Sequence, residues 1–145
     1  MASRYYSAVA QDTTITSPIA SSATSFTVSG VTGYPSNYPF ILALDYNQPN
    51  EELVSIVGVS GLTLTIGTTV GVPSTSGRGY NGTTAGSHNA GAVVRHVITA
   101  QDMTDAQNHY AATTSVHGIT DTSVLATQSS ATDVSNVTSF LNMGA

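Results

Sequence analysis

The sequence contains no cysteine, tryptophan or lysine, and its three arginines stand at positions 4, 78 and 95. Without cysteine, neither a disulfide framework nor a thiolate metal site can form. The net charge of −5 and the lack of a basic run argue against nucleic-acid binding, which depends on clustered Lys and Arg. There is no run of about 18 apolar residues, and positions 1–6 lack the apolar stretch of a secretory signal. We therefore expect a cytoplasmic product that binds neither nucleic acid nor membrane.

What the chain does contain is serine and threonine, which make up 41 of its 145 residues. Hydrophobic residues account for 40% of the sequence. A chain of this length forms one domain and buries roughly 68–70% of its unfolded surface. The composition therefore predicts one domain with a real core.

Short segments that alternate apolar and polar residues, or run continuously apolar, predict β-strands. The continuous run Pro39–Asp45 is typical of a strand that is buried on both faces. The predicted strands are 13–16, 25–28, 39–45, 51–57, 62–66 and 92–98. Alternation within 62–66 predicts that Leu62, Leu64 and Ile66 face the core and that the threonines face outward. Five or six short strands at this spacing predict a mainly β fold, a small antiparallel β-barrel or sandwich.

Helical signals begin at Thr99, which is followed three residues later by Asp102 in the manner of a capping box. Met103, Ala106 and Tyr110 form a thin apolar stripe on the predicted helix. The predicted organisation is an N-terminal arm (1–12), a β-rich body (13–98), a short α-helix (99–112) and an extended C-terminal tail (113–145). Apolar residues at three- and four-residue intervals predict a short terminal helix within that tail: Val134, Val137, Phe140 and Leu141.

The segment from Gly79 to Val94 runs a glycine-rich turn into a strand. Asn81-Gly82 predicts a turn with positive φ, and we expect Gly86 and Gly91 to relieve backbone strain. Residues 77–82 also fit a dinucleotide-binding glycine pattern. That pattern requires a helix directly after it, and residues 83–90 have no helical periodicity. We therefore expect no nucleotide cofactor.

Residues typical of metal sites and catalysis are present without the spacing that either function needs. Five oxygen-bearing side chains share one turn, and they suit either a calcium site or, as we favour, a solvated hairpin end: Asp45, Asn47, Asn50, Glu51 and Glu52. The four histidines lack zinc spacing, and we expect His88 and His117 to make turn hydrogen bonds. No nucleophile motif surrounds Ser87-His88. We expect no catalytic, cofactor or metal site.

The order of motifs resembles a module of small virion proteins of tailed bacteriophages. It comprises a Glu-Glu-hydrophobic strand (51–57), a Gly-Tyr-Asn-Gly-Thr turn with a following His, an Ala-Gly-Ala-Val-Val strand, a Thr-Ala-Gln-Asp helix start and a His-Gly-Ile turn (117–119). The resemblance covers roughly residues 13–119. It implies that the chain is a head-decoration, head-fibre or tail-fibre attachment protein and that it has no enzymatic activity.

This resemblance leads us to expect a virion protein that binds the major capsid protein or a tail or portal protein. Because the predicted terminal helix is marginal alone in water and the polar segments are rich in Ser and Thr, we also expect a homotrimer. We expect Arg4, Tyr5 and Tyr6 at an interface, because Tyr and Arg are enriched at interface centres. We expect cyclic association to bury Val134, Val137, Phe140 and Leu141 about a common axis. The alternative is a tail-associated fibre or adaptor, or a module that binds host-surface glycan through Tyr5, Tyr6, Tyr34, Tyr38, Phe40, Tyr46 and Tyr80. Because only 26 residues follow Ile119, we favour decoration over receptor recognition.

Overall fold

The computed structural model describes residues 4–112, 114–116 and 119–121. The chain divides into two compact units, Met1–Gln101 and Asp102–Ala145. Among residues 4–112, every buried side chain lies in the first unit. The core therefore belongs to the β-rich part of the chain.

Six antiparallel strands form the sheet of the first unit. They are β1 (Thr13–Thr14), β2 (Ser25–Thr27), β3 (Phe40–Leu44), β4 (Glu52–Ser60), β5 (Thr63–Ile66) and β6 (Val93–His96). Their order across the sheet is β1-β6-β3-β4-β5-β2. Each strand overlaps one of the six predicted segments, and the predicted antiparallel, mainly β fold is confirmed.

The sheet curls into a half-barrel, and its two edge strands approach each other. Ile15, directly after β1, forms an antiparallel bridge with Val28, directly after β2. Thr16 N donates to Thr27 O at 2.9 Å beside this bridge. The curl brings apolar side chains from both edges onto one core.

The core is built around β3, which is buried at every position, as the continuous apolar run predicted. Phe40 pairs with Ile56 of β4, and Leu42 pairs with Val54. Burying one such aliphatic or aromatic side chain stabilises the fold by about 1.5–3 kcal/mol. The core cluster consists of Ile15, Ile19, Phe26, Val28, Phe40, Leu42, Leu44, Val54, Ile56, Leu64, Ile66, Ala92 and Val94.

Strand β4 continues to Ser60, beyond its predicted end, and a two-residue turn of Gly61 and Leu62 leads into β5. Gly61 has a φ of 59°, a left-handed value that glycine adopts without strain. Leu64 and Ile66 are buried as predicted. The prediction that Leu62 shares their face is wrong, since it lies in the turn with 45% of its surface exposed.

Residues 4–12, predicted as an arm, pack against the segment that leads into β3. Close packing is clearest at Gly33, where an added Cβ would lie 2.1 Å from the carbonyl oxygen of Val9. Only glycine fits there. The backbone hydrogen bonds of this N-terminal segment are Tyr5 N to Pro39 O (2.9 Å) and Gln11 N to Thr32 O (3.0 Å).

Helix α1 (Ala100–Ala111) matches the predicted helix within one residue at each end. It contains no buried residue, and its predicted apolar stripe is exposed, with Met103 at 57% and Tyr110 at 93%. Among the described residues, no helix has the length and apolar character needed to cross a membrane.

Two short antiparallel strands follow the helix where the sequence predicted an extended tail. They are β7 (Thr114–Val116) and β8 (Ile119–Asp121), and Val116 pairs with Ile119. The predicted terminal-helix residues Val134, Val137, Phe140 and Leu141 lie outside the described residues.

Candidate functional site

Glu52 lies at the start of β4 with its side chain on the inner face of the sheet. It pairs with the core residue Leu44 and lies two residues before the core residue Val54, which places all three on one face. Its side chain is 0% exposed. A buried carboxylate is costly unless it is paired and hydrogen-bonded, so Glu52 requires partners.

The partners of Glu52 come from one loop, residues 78–88, which we call the Glu52 loop. Five hydrogen bonds converge on the two carboxylate oxygens. Oε1 accepts from Arg78 Nε (2.7 Å) and Gly79 N (2.8 Å), and Oε2 accepts from an Arg78 terminal nitrogen (2.8 Å), Gly86 N (2.9 Å) and His88 Nε2 (2.9 Å). The loop is folded around this one carboxylate.

Arg78 also binds the backbone on either side of the cluster. Its guanidinium donates to Ala20 O at 2.7 Å and to Gly86 O at 2.6 Å. The left-handed φ of 54° at Gly79 turns the chain immediately after Arg78. An added Cβ there would lie 2.8 Å from Thr83 O, so glycine is required.

His88 is fully buried between two carboxylates. Its Nδ1 lies 2.7 Å from Asp45 Oδ2, and its Nε2 lies 2.9 Å from Glu52 Oε2. A carboxylate oxygen only accepts, so both ring nitrogens donate and the ring is an imidazolium. The hydrogen bond to Glu52 raises the pKa of His88, burial opposes the increase, and the bond to Asp45 adds to it.

The charges of this cluster balance, with Glu52 and Asp45 against Arg78 and His88. Burial alone would raise the pKa of Glu52 and is the largest single influence on it. The hydrogen bonds from Arg78, His88, Gly86 and Gly79 together outweigh burial and hold that pKa well below its ordinary value. The buried carboxylate is therefore ionised at neutral pH.

The predicted solvated hairpin end is wrong for Glu52, which faces the core. The prediction agrees with the structure for the exposed hydrogen bonds of the turn, Asn47 N to Glu51 (2.6 Å) and Asn50 Nδ2 to Asp45 (2.6 Å). The Asp45 side chain itself is only 18% exposed, because it also pairs with the buried His88. Within the part of the chain that the structure describes, no group of three or more His, Asp or Glu side chains is placed to hold a metal ion.

The glycine pattern of residues 77–82 holds the Glu52 carboxylate of this chain, through Arg78 and Gly79. Asn81, Gly82 and Gly91 have the predicted positive φ, at 51°, 86° and 87°. Gly86 does not, and an added Cβ would meet nothing within 4 Å, so its expected role in relieving strain is wrong. The cluster uses the backbone of Gly86, whose N–H donates to Glu52 and whose carbonyl accepts from Arg78.

The expected interface residues of the N-terminal segment differ in exposure. Arg4 is engaged within the chain: its guanidinium lies 5.0 Å from the centroid of the Tyr80 ring and donates to Thr99 Oγ1 (3.1 Å) and Asn81 Oδ1 (3.3 Å). Tyr5 and Tyr6 are 40% and 47% exposed. The two tyrosines are therefore exposed, whereas Arg4 is held by contacts within the chain.

Tyr6 borders a cavity of about 390 Å³ that lies between the N-terminal segment and the end of β6. Its lining residues are Tyr6, Ser7, Ala8, His96, Val97 and Ile98. His96 Nε2 accepts from Ser7 N at 3.2 Å, so its proton is on Nδ1, which contacts Ile41 O at 3.0 Å. We call the two exposed large hydrophobic residues that line this cavity, Tyr6 and Ile98, the N-terminal face.

The other aromatic rings suggested for sugar stacking are packed within the chain. Tyr34 and Tyr38 each lie 5.9 Å from Phe40 between ring centroids. Tyr46 lies beneath the Arg95 guanidinium at 4.2 Å. Of that aromatic set, only Tyr5 and Tyr6 present exposed rings.

The cluster of Glu52, Arg78 and His88 was not predicted from the sequence. One signal was present, since Glu52 alternates with the inward residues Val54 and Ile56. No protein-family model and no curated protein matches the chain.

Proposed function

We propose that this chain is a non-enzymatic structural protein of a tailed-bacteriophage virion, which decorates the capsid or forms the base of a head fibre. The order of sequence motifs supports this function, as does the small β body that carries them. Its partner in the particle is the major capsid protein or, in a tail-associated role, a tail or portal protein.

The N-terminal face is the observation that carries the proposal. Tyr6 and Ile98, 47% and 64% exposed, border the same cavity. The segment that carries Tyr6 is hydrogen-bonded to β6 through Ser7 N and His96. Tyrosine is enriched at interface centres, where its ring contributes large contact area with few rotatable bonds. A fixed apolar surface of this kind suits permanent attachment to another protein.

The buried cluster supports a structural role over a catalytic one. A general acid or base must reach a substrate proton. Both oxygens of Glu52 are bound by groups of the chain, and both nitrogens of His88 face carboxylates inside the protein. The cluster fixes the loop and the strands and leaves these groups no free position for a substrate.

Association as a trimer belongs to the same proposal. Helix α1 has 12 residues and no buried side chain, and isolated helices of about that length are marginal in water. Association that covers Met103 and Tyr110, with Val134, Val137, Phe140 and Leu141 about a common axis, would stabilise it. Light scattering should give a trimer mass for the full chain at micromolar concentration and a smaller mass without residues 131–145. A monomer mass for both proteins contradicts the trimer.

Attachment to the particle is tested by the double variant Tyr6→Ser/Ile98→Ser, with Leu62→Ser as the matched control in an exposed turn. We expect the double variant to fold and to lose incorporation into phage particles, while the control is incorporated normally. High salt and EDTA should leave the intact protein attached, because the contact is apolar. Normal occupancy of the double variant, or release of the intact protein by salt or EDTA, overturns this surface.

The copy number per particle tests where the protein is attached. Hundreds of copies would indicate the capsid, and a handful would indicate the tail or portal.

A second function, binding of a host-surface glycan, is favoured by the exposed Tyr6 ring beside the cavity. Aromatic faces of this kind can stack on sugar rings. Binding of the purified protein to a glycan array that is lost in Tyr6→Ser, together with normal incorporation of that variant, would favour recognition over attachment.

A further inference from the structure

The Glu52 loop contacts two distant parts of the fold. On its inner side, Arg78, Gly79, Gly86 and His88 all bind Glu52. On its outer side, Tyr80 and Asn81 bind the residues that fix the N-terminal segment. The loop therefore lies between the buried charges and the first described residue, Arg4.

Asn81 is the central contact on the outer side. Its Nδ2 donates to Thr99 Oγ1 at 2.7 Å, and its Oδ1 accepts from Arg4 at 3.3 Å. Arg4 donates to the same Thr99 oxygen, and its guanidinium packs on the Tyr80 ring. Thr99 directly precedes α1. Asn81 thus connects the loop to the N-terminal segment and to the residue before the helix.

The inner and outer contacts are two residues apart in the chain. Gly79 N binds Glu52, and Asn81 binds Arg4 and Thr99. Gly79, Asn81 and Gly82 have left-handed φ values of 54°, 51° and 86°, so this turn needs its anchors to hold an uncommon conformation. Loss of the inner anchors should release the outer ones, because coupling follows contiguous contacts.

We propose that the Glu52 loop is a pH-sensitive strap, closed while His88 carries its proton, whose opening frees both the loop and the N-terminal segment. The charged groups around His88 come from three places: Asp45 after β3, Glu52 at the start of β4, and Arg78, which shares Glu52 Oε2 with His88. When His88 loses a proton, one ring nitrogen directs a lone pair at a carboxylate oxygen less than 3 Å away. The cluster then carries an unbalanced negative charge.

Trypsin provides a direct probe, since the chain has no lysine and can be cut only after Arg4, Arg78 and Arg95. Purified full-length protein is digested between pH 7 and pH 9, and mass spectrometry gives each cleavage rate relative to the denatured chain at the same pH. Cleavage after Arg4 and Arg78 should rise together, by up to about tenfold per pH unit once His88 titrates. Cleavage after Arg95, in β6, should stay slow. The strap is overturned if the cleavage rate after Arg4 does not rise with the cleavage rate after Arg78. It is also overturned if the cleavage rate after Arg95 rises equally.

Two variants separate the inner and outer contacts. His88→Gln, which cannot titrate, should give fast, pH-independent cleavage after Arg4 and Arg78. Asn81→Gly keeps the left-handed backbone but removes the outer contact, so cleavage after Arg4 should be fast at every pH while Arg78 stays protected at pH 7. His109→Gln, on exposed α1, is the matched control and should behave as the wild type.

The wild-type pH series and Asn81→Gly decide the matter even if His88→Gln does not fold. If Arg4 is as well protected from trypsin in Asn81→Gly as it is in the wild type, the coupling is overturned. The test uses purified protein only, so its result is independent of the proposed virion role.

Discussion

The Glu52 carboxylate and the Arg78 guanidinium, 26 residues apart in the chain, form a two-point ion pair in which neither side chain is more than 1% exposed. Two-point pairs fix orientation as well as distance. This pair therefore sets where the loop after Arg78 begins on the sheet, and His88 completes the charge balance from the other end of that loop. Burying two charged groups is costly, and this pair also organises the loop.

Removing the charge of Glu52 should destabilise the protein strongly. Glu52→Gln leaves the buried Arg78 guanidinium uncompensated, and breaking a buried pair costs about 3–5 kcal/mol. Asp12→Asn is the matched control, because Asp12 pairs with Arg95 in the same two-point manner at 42% exposure. An exposed pair contributes about 0–1 kcal/mol. Urea unfolding should show this order, and a smaller loss for Glu52→Gln than for Asp12→Asn would contradict the assignment.

Stability should decrease on both sides of a plateau in pH. The pKa of His88 is raised in the folded state, so its contribution is complete below the ordinary value of 6.5 and is lost as pH rises through the raised value. The pKa of Glu52 is lowered, so its contribution is complete above 4.5 and is lost as pH falls toward the lowered value. Urea unfolding from pH 4 to pH 9 should place the maximum between these two ordinary values.

The alkaline slope of that profile belongs to His88. One proton bound only in the folded state gives up to about 1.4 kcal/mol per pH unit. His88→Gln should be less stable at pH 6 and should lose this slope, whereas His109→Gln should keep it. Equal slopes above pH 6.5 in the wild type and His88→Gln would show that another group is responsible.

The strands and the helix were predictable because their signals are local. The apolar run of Pro39–Asp45 and the cap-like spacing of Thr99 and Asp102 lie within one element each, and β3 and α1 form where they predicted. The end of β4 and the exposure of Leu62 depend on which residues form the turn. The alternation of apolar residues does not determine the position of that turn.

The cluster and the packed N-terminal segment were not predictable in the same way. Arg78 reaches Glu52 across 26 residues, and Ser7 reaches His96 across 89. Pairings at such separations depend on strand order, which the sequence pattern left open between barrel and sandwich. Inward alternation marked Glu52 as unusual, but nothing near it in the sequence named its partner.

Gly82→Val should destabilise the protein through the backbone alone. Gly82 has a φ of 86°, and an added Cβ would meet nothing within 4 Å, so no clash contributes. A β-branched residue in this region costs more than about 1 kcal/mol. Gly86→Val is the matched control in the same loop, because Gly86 has equal space and no positive φ. Thermal melts should show a clear loss for Gly82→Val only, and an unchanged melting temperature would place the strain elsewhere.

Tyr34 and Tyr38 should respond in opposite ways to removal of the hydroxyl. Their rings lie at the same 5.9 Å from Phe40, so Phe at either position keeps similar packing. The Tyr34 hydroxyl is buried with no hydrogen-bond partner among the described residues, and burial, aided by the charge of Asp12, raises its pKa to about 12. An unpaired buried hydroxyl costs free energy, so Tyr34→Phe should leave stability unchanged or raise it by up to about 1 kcal/mol.

The Tyr38 hydroxyl accepts from Val59 N at 3.1 Å, in the long strand β4. Tyr38→Phe leaves that N–H without its acceptor and should cost about 1–3 kcal/mol, because an unsatisfied donor loses its full solvation. Urea unfolding of the two variants under one set of conditions gives the comparison, and equal slopes with denaturant would show that the folded states remain alike. If Tyr34→Phe proves the more destabilising of the two, the Tyr34 hydroxyl has a partner, and this part of the core is wetter than the packing around Phe40 indicates.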